Sequence, residues 1–503
     1  MIDRQLNRFT MYRLILYYLI GLLAVAWLMS AVGVLPYDPY ALLFTAGVAL
    51  AACTLTNAIF AWAFGVPPNV ESAPISALIL ALIITPIQSS HDIWFVVWAG
   101  VLAMAAKYMV AIRHKHLFNP VAFAVALTAL ALGDTASWWV GNAALLPFVA
   151  VGGALVVRRI RRADLVLSFL LAALAVVVGS SLAGGQRLGA ALQQTVVLSP
   201  LVFFACVIVT EPLTTPPTRR LQILYGALVG LLFVPQTHIG EFYTTPELAI
   251  LIGNLLSYLV SPKVTRALTL AHRQALAPDV YDFVFEPTRP FTFLPGQYME
   301  WTLSHADPDA RGNRRYFTLA SSPTEPQLRL GVKFYQQPSS FKRALAQMEP
   351  RAEIMAAQLA GDFVLPDNPA QPCIFIAGGI GITPFRSMLK YLIDMRQPRP
   401  IVLFYGANTI EDIVYQDVLA QAERDLGIHT IYAVRSPRGL PPGWRGHVGD
   451  ISAQLIAQVV PDYRRYQFYI SGPPAMVDAF TAMLLGLEVR RGQIKTDFFA
   501  GLA

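Results

Sequence analysis

Residues 375–389 read FIAGGIGITPFRSML. An apolar run ends in Gly378, Gly379 and Gly381, and a helix-compatible stretch opens at Thr383 and Pro384. A strand, a glycine turn and a helix start form the kind of turn that holds a dinucleotide phosphate. A glycine run alone is most often only a turn, so its surroundings decide what it does. Those surroundings are unusual, because the run lies behind a long series of apolar segments reaching Pro262.

The chain has 503 residues, of which 55% are hydrophobic and 14% charged. Soluble chains of this size carry about a quarter charged residues. The excess is uneven: apolar runs with short polar links extend to Pro262, and charged, proline-containing sequence follows from Lys263. Two regions in different solvents are expected. The net charge of +7 does not point to nucleic acid, because the basic residues of the first half cluster between apolar runs, where membrane topology accounts for them. Cys53, Cys206 and Cys373 lie far apart and form no C-x-x-C pair, which argues against a zinc ribbon or a cysteine-ligated cluster; no metal site is expected. The first apolar run lacks a small-residue cleavage site and reads as a retained helix.

Ten candidate spans follow, at about 12–34, 40–64, 73–88, 93–112, 117–133, 143–157, 163–184, 189–210, 221–236 and 246–262. Several are short, as in tilted or broken helices. With the N-terminus inside, RHKH (113–116), RRIRR (158–162) and TRR (218–220) face the cytoplasm. GDTASWWVGN (133–142) and PQTHIGEFYTTPE (235–247), on the other side, hold no Lys or Arg, and Arg187 alone breaks the pattern. The positive-inside rule then puts both termini and the C-terminal half in the cytoplasm.

From about Leu268 short strands and turns carry FLPGQYMEWTL (293–303), RRYFTLASSP (314–323), GVKFY (331–335), SSFKRAL (339–345) and GDFVLP (361–366). These read as a small antiparallel barrel, and from Cys373 alternating strands and helices read as a parallel sheet. The region Leu268–Ala503 resembles the ferredoxin–NADP reductase superfamily. Its flavin signature R-x-Y-[ST] corresponds to Arg315, Tyr316, Phe317 and Thr318, with Phe317 in place of the usual tyrosine. The resemblance implies that Arg315 pairs with the FAD pyrophosphate, a task that suits a bidentate cation. It also implies that Thr318 bonds near the flavin ring, that Val332 lies in the flavin site, and that Ser339 and Ser340 make a second pyrophosphate contact. The loop SHADPDARGN (304–313) does not separate FAD from FMN, so FAD rests on the family. AGGIGITP matches the nicotinamide-side loop, with Gly378, Gly379, Gly381, Thr383 and Pro384 at the pyrophosphate. YISGPPAMV (469–477) matches the element beside the nicotinamide, with Ser471 where cysteine is usual, followed by Gly472 and Pro473. Phe498 and Phe499 either cover the flavin ring or belong to the core. The implied reaction is hydride transfer from NADH or NADPH to FAD, with Thr318, Ser471, Phe498 and Phe499 about the reacting rings. YGANTIEDIVY (405–415) lacks an arginine cluster for a 2′-phosphate, which leans towards NADH.

In the first half, residues 69–86, 105–127 and 203–233 resemble the RnfD/NqrB family, ten-helix flavoproteins that pass electrons through the bilayer. The family's covalent attachment motif ending in Ala-Thr is missing here, so the flavin implied is a non-covalent FMN or riboflavin. Asn119 and Pro120 of LFNP and Thr210, Glu211 and Pro212 of VTEP match positions that shape the inner flavin region. LFNP either presents broken-helix backbone to a flavin or caps a helix. Lys107 is expected to snorkel to the interface, Glu211 to answer Arg219 and Arg220, and the Ser137–Trp139 stretch to anchor at the interface.

The expectation is therefore a membrane α-helical bundle (1–262) fused to an antiparallel β-barrel FAD domain (263–369) and an α/β parallel-sheet nicotinamide-binding domain (370–503). Its function would be to pass electrons from NAD(P)H through FAD to a membrane flavin or quinone, or to an extracytoplasmic acceptor, with a partner redox protein as a further expectation. Two alternatives compete. One is a haem-containing transmembrane reductase, against which His91, His114, His116 and His238 all fall in loops or at helix ends. The other is a reductase with the bundle as anchor only.

Overall fold

The computed structural model describes residues 6, 10–64, 71–112, 115–185, 187–262, 265–306, 308–309 and 312–497. They form two compact units, with the division at Pro262.

Among the described residues of the first unit, helical segments stand at all ten apolar runs. They are α1 (Met11–Ala31), α2 (Pro39–Ala63), α3 (Ser72–Ile83), α4 (Ser90–Met109), α5 (Pro120–Leu132), α6 (Leu146–Ile160), α7 (Ala163–Gly184), the pair α8 (Leu188–Val196) and α9 (Leu201–Ile208), α10 (Arg219–Phe233) and α11 (Pro246–Val260). By length and composition α1, α2, α4 and α7 can cross a membrane, and α8 with α9, bent by 53°, makes a fifth candidate. The other five have 12, 13, 15, 15 and 15 residues, against the roughly 20 of a full span. Large apolar side chains such as Trp62, Leu130 and Leu171 are exposed on these helices, as on a surface facing hydrocarbon.

The same order of parts occurs twice. Two helices lead to a short or broken segment that unwinds at Thr85–Pro86 in one half and at Thr210–Pro212 in the other. A further helix and a minimal hairpin follow: β1 (Ala111–Ile112) with β2 (Lys115–His116), then β3 (His238–Ile239) with β4 (Phe242–Tyr243). Each half closes on a helix whose capping side chain precedes a proline: Asn119 accepts from the Ala122 N–H at 3.0 Å, and Thr245 from the Leu248 N–H at 3.3 Å. Corresponding helices meet between halves. Tyr18 of α1 donates to the Val149 carbonyl of α6 at 3.3 Å, and the Asn119 N–H donates to Asn254 Oδ1 of α11 at 2.7 Å.

Where helix ends unwind, other backbone or buried side chains satisfy the freed groups, as a membrane interior demands. The Trp138 and Val140 N–H groups donate to the Ile83 and Leu82 carbonyls at 2.7 and 3.2 Å. Trp138 and Trp139 are 6% and 5% exposed. Their indoles donate to Glu247 at 2.6 Å and to the Ala81 and Ile84 carbonyls at 3.0 and 2.9 Å. They are internal fasteners rather than the interfacial anchors expected. Lys107, half-buried, donates to Ser72 and Ser76 of α3. Glu211 accepts from Asn119 and Thr214, while Arg219 takes Asp164.

The second unit has two layers. β5 (Thr265–Ala277), β6 (Val280–Pro287), β7 (Tyr298–Thr302), β8 (Arg314–Thr318), β9 (Leu328–Lys333) and β10 (Glu353–Ala360) form an antiparallel sheet ordered β8–β7–β10–β5–β6–β9. Phe283, Phe285 and Trp301 fill its core together with Phe341 of α12 (Ser340–Ala346). The parallel sheet takes β11 (Cys373–Gly378), β12 (Ile401–Ala407), β13 (His429–Val434), β14 (His447–Val448), β15 (Gln467–Ser471) and β16 (Ile494–Thr496) in the order β14–β13–β12–β11–β15–β16. Its helices are α13 (Thr383–Asp394), α14 (Gln416–Leu426), α15 (Ala453–Val459) and α16 (Pro474–Gly486). β11 is buried along its whole length, which accounts for its unbroken apolar run. The chain builds outward from β11 to β14, then returns to lay β15 on the other side. Such a reversal opens a crevice at the carboxyl ends of the strands.

A close approach in the bundle gives a test. A side chain at Gly141 would overlap the Ser199–Pro200 backbone, whereas Gly179 of α7 faces open space. Gly141→Ala is expected to destabilise the detergent-solubilised protein by about 1–3 kcal/mol. Gly179→Ala should leave the thermal midpoint unchanged or raise it slightly. Equal midpoints for the two variants would refute the packing at residues 199–200.

Candidate active site

Three polar side chains from separate strands converge at that crevice. Thr318 ends β8, Ser471 ends β15 and Asp497 follows β16. Asp497 Oδ2 accepts from the Ser471 hydroxyl at 3.0 Å and from the Thr318 hydroxyl at 3.4 Å, while its own N–H donates to the Ile470 carbonyl at 3.0 Å. Among the described residues, Oδ1 is buried with no hydrogen-bond partner. A buried acceptor left open suits a ligand that brings an N–H, such as a carboxamide or a flavin ring edge. Burial pushes the Asp497 carboxyl up to about 6, against the pull of the bonds from Ser471 and Thr318.

The glycines divide their work. The space beside Gly378 is filled by Met476, and beside Gly381 by the Ser471–Gly472 backbone. These two lock the turn after β11 onto the turn after β15, so that Gly472 and Pro473 border Gly378. Gly379, at φ +53°, faces open space and is the one of the three that presents bare backbone outward. Thr383 donates to the Ile380 carbonyl at 3.2 Å, which closes the turn, and Pro384 follows in the first turn of α13.

In β8 successive side chains alternate between faces. Arg315 and Phe317 share a face and both meet Phe341, at 5.6 and 5.8 Å between centres. Tyr316 donates to Glu300 at 3.0 Å. Arg315 donates to both oxygens of Asp309 at 2.7 and 2.9 Å. Ser339 caps α12, and the Ser340 N–H donates to Asp309 at 3.1 Å. Val332 is buried in β9. Phe498 and Phe499 lie outside the described residues.

A buried polar network joins the two sheets. Asp282 of β6, with no exposed side-chain surface, accepts from Arg329 of β9 at 2.8 Å and from the Tyr415 hydroxyl at 3.3 Å. Arg386 of α13 holds Glu325 through both its Nη groups and donates to the Ala320 carbonyl at 3.0 Å. Burial pushes the Asp282 carboxyl above its ordinary value, and Arg329 opposes that. Tyr415 itself sits at φ +58°, a strained conformation for a bulky residue.

In the first unit Asn119 and Thr210 part company. Asn119 joins Glu211 at 2.8 Å and, through Asn254, the Tyr225 hydroxyl at 2.9 Å. Thr210 turns back onto its own helix, donating to the Cys206 carbonyl at 2.8 Å in the π-helical turn Phe204–Ile208. The sequence reading missed Asp497, although a lone acid between Thr496 and Phe498 was a visible signal. It also missed that Arg435, at the end of β13, comes beside Asn408 at 3.5 Å, where Asp450 pairs with it at 2.6 Å.

The family model for the oxidoreductase NAD-binding domain matches residues 375–482. That for the NQR2, RnfD, RnfE family matches residues 126–268. The chain thus carries an NQR2/RnfD/RnfE family domain followed by a reductase-type NAD-binding oxidoreductase domain. It is 27% identical over 263 residues to the reductase component of propane 2-monooxygenase from Rhodococcus jostii (strain RHA1), covering 50% of this chain and 67% of that protein. It is 25% identical over 211 residues to the glycine betaine monooxygenase reductase subunit of Pseudomonas aeruginosa (strain UCBPP-PA14), covering 41% and 57%. To the NAD(P)H-flavin reductase of Vibrio harveyi it is 26% identical over 215 residues, covering 41% and 86%. The match thus spans 57% to 67% of the length of the first two relatives.

Asp497 makes the site sensitive to pH. Its folded pKa of about 6 lies above the ordinary 3.8, so between these values the folded state binds more protons than the unfolded one. Its contribution to stability is full below about 4 and is lost as pH rises through about 6. The thermal midpoint of wild type should fall across that window relative to Asp497→Asn. Parallel profiles would show that Asp497 is not held protonated.

Proposed function

We propose that this protein is a membrane-bound NAD(P)H-dependent flavin oxidoreductase that passes electrons from NAD(P)H through FAD to a flavin or quinone held in the helical bundle. The observation that carries the reading is the meeting of Thr318, Ser471 and Asp497 at the crevice beside the glycine turn. The family match over residues 126–268 supports a membrane destination for the electrons, and the similarity to an NAD(P)H-flavin reductase supports flavin as the redox group.

The chemistry supplied by FAD when bound is uptake of a hydride's two electrons and their release one at a time. The chain's own residues hold and orient. The bare backbone at Gly379 and the turn closed by Thr383 receive the dinucleotide phosphates; Arg315 with Ser339 and Ser340 receives those of FAD. The Thr318 and Ser471 hydroxyls and the Asp497 carboxyl bracket the ring edges, and Asp497, protonated below about pH 6, holds a proton there. Phe498 or Phe499 would cover the flavin ring. In the bundle Asn119, hydrogen-bonded to Glu211 and Asn254, would border a non-covalent FMN or riboflavin, with Thr210 next to Glu211 in the chain. We take the ten segments to cross the cytoplasmic membrane, the five shorter ones by tilting and unwinding, with both termini cytoplasmic as the basic links indicate. Two halves of five crossings then run in opposite directions.

Flavin extracted from the purified, detergent-solubilised protein, resolved into FAD, FMN and riboflavin, tests this. FAD plus a second flavin per chain is expected, both bleached by NADH or NADPH. Asn119→Ala should lose the second flavin and retain FAD. FAD alone, with no quinone reduction in detergent, would overturn the membrane path and leave the bundle an anchor.

A further inference from the structure

The cradle expected to receive the FAD pyrophosphate already holds an anion of the chain's own. Asp309 sets both carboxylate oxygens on Arg315, at 2.7 and 2.9 Å, and the same Oδ2 accepts the Ser340 N–H at 3.1 Å. One guanidinium nitrogen, Nη2, joined by a backbone N–H is a contact set that a phosphate oxygen would take. The rest of the guanidinium is spent on the Gly312 and Arg314 carbonyls, at 3.0 and 2.7 Å. The arrangement is built on both sides: the Ser340 hydroxyl accepts the Asp309 N–H at 2.9 Å and lies 3.1 Å from His305 Nε2.

We propose that Asp309 is an internal competitor for the phosphates of FAD, and that the dinucleotide binds by displacing it. The proposal rests on the reading that this half binds FAD, and concerns how that binding is regulated. Exposure supports displacement: the Arg315 side chain is 7% exposed and that of Asp309 30%, so the acid covers the cation from outside. An anion reaches Arg315 by taking the place of Asp309. Asp309 precedes β8 by a few residues, and Gly312 between them adopts the turn conformation φ +65°. With Asp309 in place, the cradle's charge is already balanced, and a diphosphate would meet a carboxylate at contact distance. The loop therefore lowers affinity for phosphate-bearing flavins and leaves the ring site alone.

Titration of the flavin-stripped, full-length protein in detergent, followed by quenching of flavin fluorescence, tests the idea. Asp309→Asn and Asp309→Ala are each expected to tighten FAD binding about tenfold or more, while Asp309→Glu stays near wild type. Riboflavin, which has no phosphate, should bind all four proteins alike. Unchanged or weakened FAD binding in Asp309→Asn and Asp309→Ala would mean that Asp309 only positions Arg315, and would overturn the proposal while the FAD reading stands. Equal tightening of riboflavin would overturn it too. Failure of all four proteins, still showing cooperative thermal unfolding, to bind FAD would remove the FAD reading and the proposal together.

Discussion

The buried carboxylate of Asp282 is the constraint on which the reductase half depends. A charge without exposed surface must be paired, and its partners come from different parts of the fold. Arg329 approaches from the neighbouring strand of the antiparallel sheet, and the Tyr415 hydroxyl from the turn that precedes α14 in the parallel-sheet layer. Arg386, facing Tyr415 at 5.6 Å, extends the network through Glu325 to the turn between β8 and β9. Loss of any one partner leaves another charge stranded, so the two layers cannot drift apart by small steps. That rigidity holds Thr318, on one layer, within reach of Asp497, on the other. The strained backbone of Tyr415 fits the same account, since a conformation of that kind persists only where its surroundings over-determine it.

The helical unit solves a different problem. Helices too short to span leave backbone groups that neither lipid nor water can satisfy at depth. Here the freed ends meet one another: the stretch after α5 adds its N–H groups to the carbonyls at the end of α3, and Asn119 ties the start of α5 to α11 and to the unwound Glu211. Glu247 and Trp138 close the same kind of contact elsewhere in the unit. The polar residues are thus spent on broken helix ends, while the outward faces stay apolar.

Most of this architecture could be read from periodicity. The apolar runs, the change of composition after Pro262 and the alternation beyond Cys373 each correspond to a helix set or a sheet, because burial against one kind of neighbour dictates one kind of pattern. What failed to show was anything that depends on which distant residue comes alongside. Trp138 and Trp139 look like interfacial residues until a helix end arrives to accept their N–H groups. Lys107 looks like a snorkelling cation until two serines of α3 are found beside it. The doubled order was present as two Thr-Pro-containing breaks and two prolines after caps, yet it was masked because the intervening helices differ in length. Arg435 escaped notice for a similar reason: it belongs to the next strand, and only the sheet order brings it to Asn408.

The motif residues carry a further lesson about what a motif can be asked to explain. Of three glycines in one turn, Gly381 is required by the protein itself, since a side chain there would collide with the Ser471–Gly472 backbone, whereas one at Gly378 would meet the flexible end of Met476. Gly381 would therefore be needed even if no ligand approached it, and its presence is evidence for two interlocked turns before it is evidence for a phosphate. Gly379 is different, because nothing in the protein forbids a side chain there except its backbone conformation and whatever occupies the open space. The same distinction applies at Arg315. Its type and position suit a phosphate, but both its Nη groups already donate within the chain, so the arginine alone cannot say how tightly a phosphate is held. Under the displacement proposed above, that is set by Asp309, a loop residue outside the motif, through the ion pair with Arg315 that must be broken.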